Sequence, residues 1–127
     1  MINSALGKAL IVDDEKTNRL ILKSLLGKQG YQTIEAVNGQ EAVDLFHQEH
    51  PSIIFMDVMM PVLDGFEVLR RLKADPALVD VPVIMLTAKG QERDVLTGLS
   101  TGATDYIVKP FSLKELSARI EAALRKH

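Results

Sequence analysis

Four short apolar runs punctuate the chain: Ala9–Val12, Ile53–Met56, Val83–Leu86 and Tyr106–Val108. A fifth segment, Gln32–Ala36, alternates polar and apolar residues. Continuous apolar runs of this length suit strands covered on both faces of a sheet. Between them lie segments with helical spacing. In the first, Leu20, Ile21, Leu22, Leu25 and Leu26 cluster at three-to-four spacing, and Gly30 follows as a C-terminal stop. The second predicted helix is Gln40–Glu49, with Ala42, Val43, Leu45 and Phe46 apolar. The third runs from about Gly65 to Ala74 around Phe66, Val68, Leu69 and Leu72. The fourth covers about Glu92 to Ser100 and stops near Gly102. The fifth runs from about Leu113 to Arg125, with Leu116, Ile120, Ala123 and Leu124 inward. Ser112 is its expected N-cap, and Glu115 completes a capping box. Asn38-Gly39 reads as a turn and Asp75–Pro82 as a longer loop.

Strand then helix, repeated through the chain, implies an α/β fold. The sheet is parallel, helices cover both faces, and the crossovers are right-handed. A length of 127 residues fits one domain, 1–127, with a core from about residue 8 to 125. No linker, low-complexity tract or internal repeat interrupts it.

The polar residues that close the apolar runs carry the chemistry. The first run ends in Asp13 and Asp14, the third in Asp57, the fourth in Thr87 and the fifth in Lys109. In an open parallel sheet the carboxyl ends of the strands share one edge, where ligands bind. Run two is the most polar and belongs at an edge of the sheet. The order 2-1-3-4-5 puts it there and makes the other four neighbours, about 4.8 Å apart. Asp57 then lies one strand from the acidic pair and one strand from Thr87. Lys109 is two strands away, on the order of 10 Å at the backbone, within reach of a long ammonium side chain. Singly, each residue has a blander role: a helix cap for Asp14, a strand-end hydroxyl for Thr87, a solvated amine for Lys109, a helix start for Asp64-Gly65. Together, three crowded carboxylates repel one another unless a cation sits among them. All-oxygen ligands without His or Cys favour a hard ion, magnesium over zinc.

Composition narrows the alternatives. The chain has no cysteine, which excludes disulfides and thiolate metal sites and is compatible with a cytoplasmic location. A formal net charge of -2 gives no reason to expect nucleic acid or an anionic membrane as a direct partner. No apolar run approaches the roughly 20 residues that span a bilayer. The start, MINSALGK, has neither the basic residues nor the apolar core of a signal peptide.

Spaced as they are, these residues resemble the response-regulator receiver domains of two-component signalling. The resemblance runs from about Lys8 to Leu124. It rests on A-L-I-V-D-D-E at Ala9–Glu15, I-I-F-M-D-V-M-M-P at Ile53–Pro61, D-G at Asp64-Gly65, P-V-I-M-L-T-A at Pro82–Ala88 and G-A-T-D-Y-I-V-K-P-F at Gly102–Phe111. It implies a doubly wound (βα)5 flavodoxin-like fold with the same strand order. It also implies that Asp57 is the phosphoacceptor and that Asp13 and Asp14 bind Mg2+. The Met59 backbone carbonyl would add a further ligand. Thr87 and Lys109 would hold phosphoryl oxygens, Tyr106 would reorient on activation, and Lys109-Pro110 would be cis. The donor would be a sensor histidine kinase or a phosphotransfer protein. The chain would catalyse its own modification and not be a conventional turnover enzyme. A phosphorylated receiver would shift the face of the fourth helix, fifth strand and fifth helix. A downstream effector, an attached output domain or a second copy of the chain would read that face. Lys89, Arg93, Tyr106 and Lys114 would contribute to it, Met59 and Lys89 would flank the path of attacking water, and Asn18 would line the pocket.

Three rivals stand against this. A haloacid-dehalogenase-type phosphatase wants an acidic residue where Met59 lies. A flavodoxin-like nucleotide or flavin binder wants glycine in the first turn, which here is V-D-D-E-K-T-N. A receiver-like interaction module without phosphorylation is the third. Met1 reads as a natural start, of either a stand-alone receiver or the N-terminal part of a longer regulator.

Overall fold

The computed structural model describes residues 7–58, 65–76, 81–88 and 102–125. The elements are β1 (Lys8–Val12), α1 (Lys16–Lys28), β2 (Gln32–Ala36), α2 (Gly39–Glu49), β3 (Ile53–Asp57), α3 (Gly65–Lys73), β4 (Val83–Ala88), β5 (Asp105–Lys109) and α4 (Leu113–Arg125). The fifth predicted helix is therefore α4. The fourth, Glu92–Ser100, lies outside the described residues, as do Met59, Asp64, Lys89 and Arg93.

All neighbouring strands pair in parallel, in the order β2-β1-β3-β4-β5. The apolar runs of β1, β3 and β4 divide by alternation, because successive side chains point to opposite faces. Leu10, Val12, Ile54, Met56, Val83 and Met85 pack with Ala42 and Phe46 of α2 and Val68, Leu69 and Leu72 of α3. Ala9, Ile11, Ile53, Phe55, Ile84 and Leu86 pack with Leu22 and Leu26 of α1 and Leu116, Ile120 and Ala123 of α4. Two cores result, one on each face, and β3 is wholly buried between them. β2 is the most exposed strand, as its alternating pattern and edge position require.

The strands reach further than the apolar runs. Asp57, Thr87 and Lys109 are strand residues, because parallel pairing continues past the last apolar side chain: Asp57 faces Leu86, Thr87 faces Val108 and Ala88 faces Lys109.

The helix ends follow local chemistry. α1 stops as expected at Gly30, whose φ of 101° is easy only for glycine. There Gly30 N–H donates to Gly27 O at 3.1 Å and Tyr31 N–H to Leu26 O at 3.1 Å, a Schellman closure. Asn38-Gly39 is not a simple turn. Asn38 caps α2 by accepting from Glu41 N–H at 2.9 Å, and Glu41 Oε1 accepts from Val37 N–H at 2.9 Å. Ser112 caps α4 through Glu115 N–H at 3.1 Å. The reciprocal bond that would complete a capping box there is absent among the described residues.

Among the described residues Phe55 is the largest fully buried side chain, and it lies on the central strand. Phe55→Ala is expected to lower unfolding free energy by about 3–5 kcal/mol. Urea denaturation reads this as a lower midpoint at unchanged slope. A loss below about 1 kcal/mol would mean that the site collapses around the missing ring.

Candidate functional site

Register builds the site. Val12 is level with Met56, so Asp13 and Asp57 leave adjacent strands side by side. Asp13 shares the alternation of Ile11, Asp57 that of Phe55 and Lys109 that of Ile107, which directs all three toward the α1–α4 side. Asp14 follows in the β1–α1 turn and is exposed. One ligand oxygen from each of Asp13, Asp14 and Asp57 lies within 4.8 Å of the others.

Lys109 Nζ closes the cluster, 3.3 Å from Asp57 Oδ1 and 3.5 Å from Asp13 Oδ2. Asp13 is fully buried and Asp57 nearly so, so solvent screens them little. Among the described residues three carboxylates stand against one ammonium, a negative set suited to a hard divalent cation. Thr87 is buried, and its Oγ1 has no hydrogen-bond partner among the described residues. A buried hydroxyl without a partner costs free energy, so its presence favours a ligand that accepts from it.

Tyr106 is half-buried on β5, with the Arg119 guanidinium 5.0 Å from its ring centroid. Arg119 also reaches Asp105 Oδ1 at 3.2 Å. The Lys109-Pro110 peptide is cis. Asn18 lines a cleft of about 310 Å³ with Ile21, Lys109, Pro110 and Phe111, a lining that includes none of the three carboxylates, and its amide donates to Glu15 Oε1 at 2.8 Å. Lys114 is exposed on the first turn of α4.

Two further residues escaped the sequence reading. Gly65 opens α3 directly against the phosphoacceptor candidate: a Cβ there would lie 2.3 Å from Asp57 O and 3.0 Å from Met85 Cε. Asp64-Gly65 was expected only to start a helix. The D-G pair marks a turn in any protein and does not say which backbone passes close. Arg19 donates to the Asp13 carbonyl at 2.8 Å and pairs with Glu35 at 3.0 Å. No spacing rule links positions 13, 19 and 35 before the strands are placed.

A family model for the response regulator receiver domain matches residues 9–121. The chain belongs to the response regulator receiver family. It is therefore a receiver domain of two-component signalling, a family distinct from the phosphatase and the flavin binder weighed above and outside the conventional enzyme families. The chain is 53% identical over 119 residues to a protein of Guillardia theta named probable transcriptional regulator ycf27, and 52% identical over 119 residues to its namesake in Porphyra purpurea. The match takes in 94% of this chain but 46% and 48% of those proteins, so the chain spans about half the length of these curated relatives. A putative response regulator of Chloroflexus aurantiacus superposes with a TM-score of 0.89 at 34% identity, over 93% of this chain and 97% of that one. The receiver domain of a Syntrophus aciditrophicus histidine kinase superposes with a TM-score of 0.84 at 40% identity, over 94% of this chain and 91% of its own.

Because the Asp57 carbonyl is backbone and cannot swing aside, Gly65→Ala is expected to destabilise the fold by about 1–3 kcal/mol. Thermal unfolding followed by circular dichroism measures it. An unchanged melting temperature would show that α3 can shift without cost.

Proposed function

We propose that the chain is a phosphorylation-switched receiver in which Asp57 accepts a phosphoryl group from a phosphohistidine donor. The observation that carries this reading is the buried Asp57 carboxylate at the end of β3, clustered with Asp13 and Asp14 and 3.3 Å from Lys109 Nζ. A carboxylate approaches a phosphoryl group poorly because both are negative. Asp13, Asp14, Asp57 and the Met59 backbone carbonyl would hold Mg2+. When bound, the ion supplies charge neutralisation at the transferring oxygens.

Asp57 attacks phosphorus in line with the donor imidazole. A P–O bond forms, the P–N bond breaks, and its electron pair returns to the imidazole nitrogen. Lys109 pairs with a phosphoryl oxygen, and Thr87 Oγ1 donates to another. Water later attacks phosphorus, releases inorganic phosphate and restores the carboxylate.

Phosphorylation adds roughly two negative charges at one point. Thr87 moves toward them, and Tyr106 follows into the space vacated. That shifts a pre-existing equilibrium of the face built by the fourth predicted helix, β5 and α4. The donor would be a sensor histidine kinase or a phosphotransfer protein. The reader would be an effector, an attached output segment or a second copy of the chain. The Guillardia theta and Porphyra purpurea relatives are named probable transcriptional regulators, and about half of their length lies beyond the match. Control of transcription through a segment or partner outside these residues is the output we favour. A cytoplasmic location agrees with this chemistry. Among the described residues no helix is long and apolar enough to cross a membrane.

Incubation with Mg2+ and a small phosphodonor is expected to add the mass of one phosphoryl group, and Asp57→Asn is expected to add none. An unchanged wild-type mass with several donors would favour an interaction module that is never phosphorylated. Separately, Mg2+ at about 100 times its Kd is expected to stabilise the fold by about 2.7 kcal/mol, read as a higher melting temperature. No shift at millimolar Mg2+ would count against the carboxylates as its ligands.

A further inference from the structure

We infer that Arg19 is a positioning residue for the metal site, holding the β1–α1 turn so that Asp13 presents one chosen oxygen. The inference rests on the reading of Asp13, Asp14 and Asp57 as Mg2+ ligands.

Asp13 has four polar positions: β2, the β1–α1 turn and α1 hold three of them, and the fourth, Oδ2, accepts from Lys109 Nζ inside the site. Its N–H donates to Ala36 O at 3.1 Å. Its Oδ1 accepts from Glu15 N–H at 2.9 Å. Its carbonyl accepts from Arg19 Nη1 at 2.8 Å. Oδ2 is the position turned to the site, 3.5 Å from Lys109 Nζ. The first bond is ordinary sheet pairing and the second an ordinary turn. The third is different, because a charged side chain has been brought to a backbone carbonyl.

Arg19 is itself held. Its side chain is 13% exposed, and its Nε lies 3.0 Å from Glu35 Oε1 on β2. The second oxygen of Glu35 takes Lys23 Nζ at 3.6 Å. One guanidinium thus spans α1, the turn and the edge strand. A bond from a charged donor is roughly twice as strong as a neutral one. Glu35 offsets the charge of Arg19, so the turn is clamped without an uncompensated cation beside a metal site. Lysine would substitute only in part, because a single ammonium lacks the planar fork that meets two acceptors at a fixed angle. Groups that orient a ligand from behind commonly change metal affinity when removed.

The test is calorimetric titration of Mg2+ into the full chain and its variants. Wild type is expected to bind one ion. Arg19→Gln is expected to raise Kd by about 10-fold, and Arg19→Lys is expected to fall between. Ile120→Val, in the core between α4 and the sheet and outside the carboxylate cluster, is the control: a lower melting temperature with the wild-type Kd. With a small phosphodonor, the Mg2+ concentration for half-maximal phosphorylation is expected to rise in Arg19→Gln by more than the rate at saturating Mg2+ falls. A Kd in Arg19→Gln within twofold of wild type would overturn the inference and leave the metal reading intact. A wild type without saturable Mg2+ binding would sink both. If Arg19→Gln does not fold, Glu35→Gln is titrated in its place. It keeps an acceptor for Nε but loses the offsetting charge, so a raised Kd supports the inference and an unchanged Kd overturns it.

Discussion

Carboxylates brought together out of water repel one another, and the carboxyl edge of this sheet is organised around that repulsion. Asp13 and Asp57 sit side by side because β1 and β3 pair in parallel and in register, and Asp14 follows in the turn. In a low-dielectric setting such charges interact more strongly than at a surface. Lys109 offsets part of the repulsion from β5, two strands away from Asp13's neighbour β3 in the sheet order. The arrangement persists because two apolar cores hold the strands beneath it. In the proposed function a divalent cation would complete the compensation and leave a pocket arranged for the charge of a phosphoryl group.

The same edge shows why the residues divide as they do. Strand register fixes Asp13, Asp57 and Lys109 on one side of the sheet, toward α1 and α4. Thr87 alternates with Met85 and shares its side with α2 and α3. Its unpartnered hydroxyl is therefore well placed to transmit an event at Asp57 to packing on the other face. In the proposed switch Tyr106, tied to Arg119 and half-buried on β5, would be the residue that responds. A switch requires such a group, held but not satisfied.

Much of this was legible from residue order alone. Apolar runs located β1, β3 and β4, and polar punctuation after them located the site. The polarity of Gln32–Ala36 marked it for an edge, and the full strand order was in part what the resemblance to receiver domains implied. Strand ends were misjudged by a residue or two, since Asp57, Thr87 and Lys109 pair through backbone groups whatever their side chains are. Asn38-Gly39 passed for a turn because an N-cap uses the same residue types for the same reason, a short side chain that bonds nearby amides. Arg19, Glu35 and the close approach at Gly65 were hidden for another reason. Each depends on segments far apart in the chain, and no local pattern announces such meetings.

An open sheet also has two margins, and here they are β2 and β5. Each is only five residues long. β2 carries Glu35, whose carboxylate is held in place by Arg19 and Lys23, and β5 begins with a carboxylate held by Arg119. Short strands fringed with fixed charge are poor templates for a foreign strand to add to. A signalling protein must meet partners repeatedly and let them go. Margins that discourage strand addition confine those meetings to side-chain surfaces, where association is reversible, and keep the molecule from growing into fibres when it is abundant.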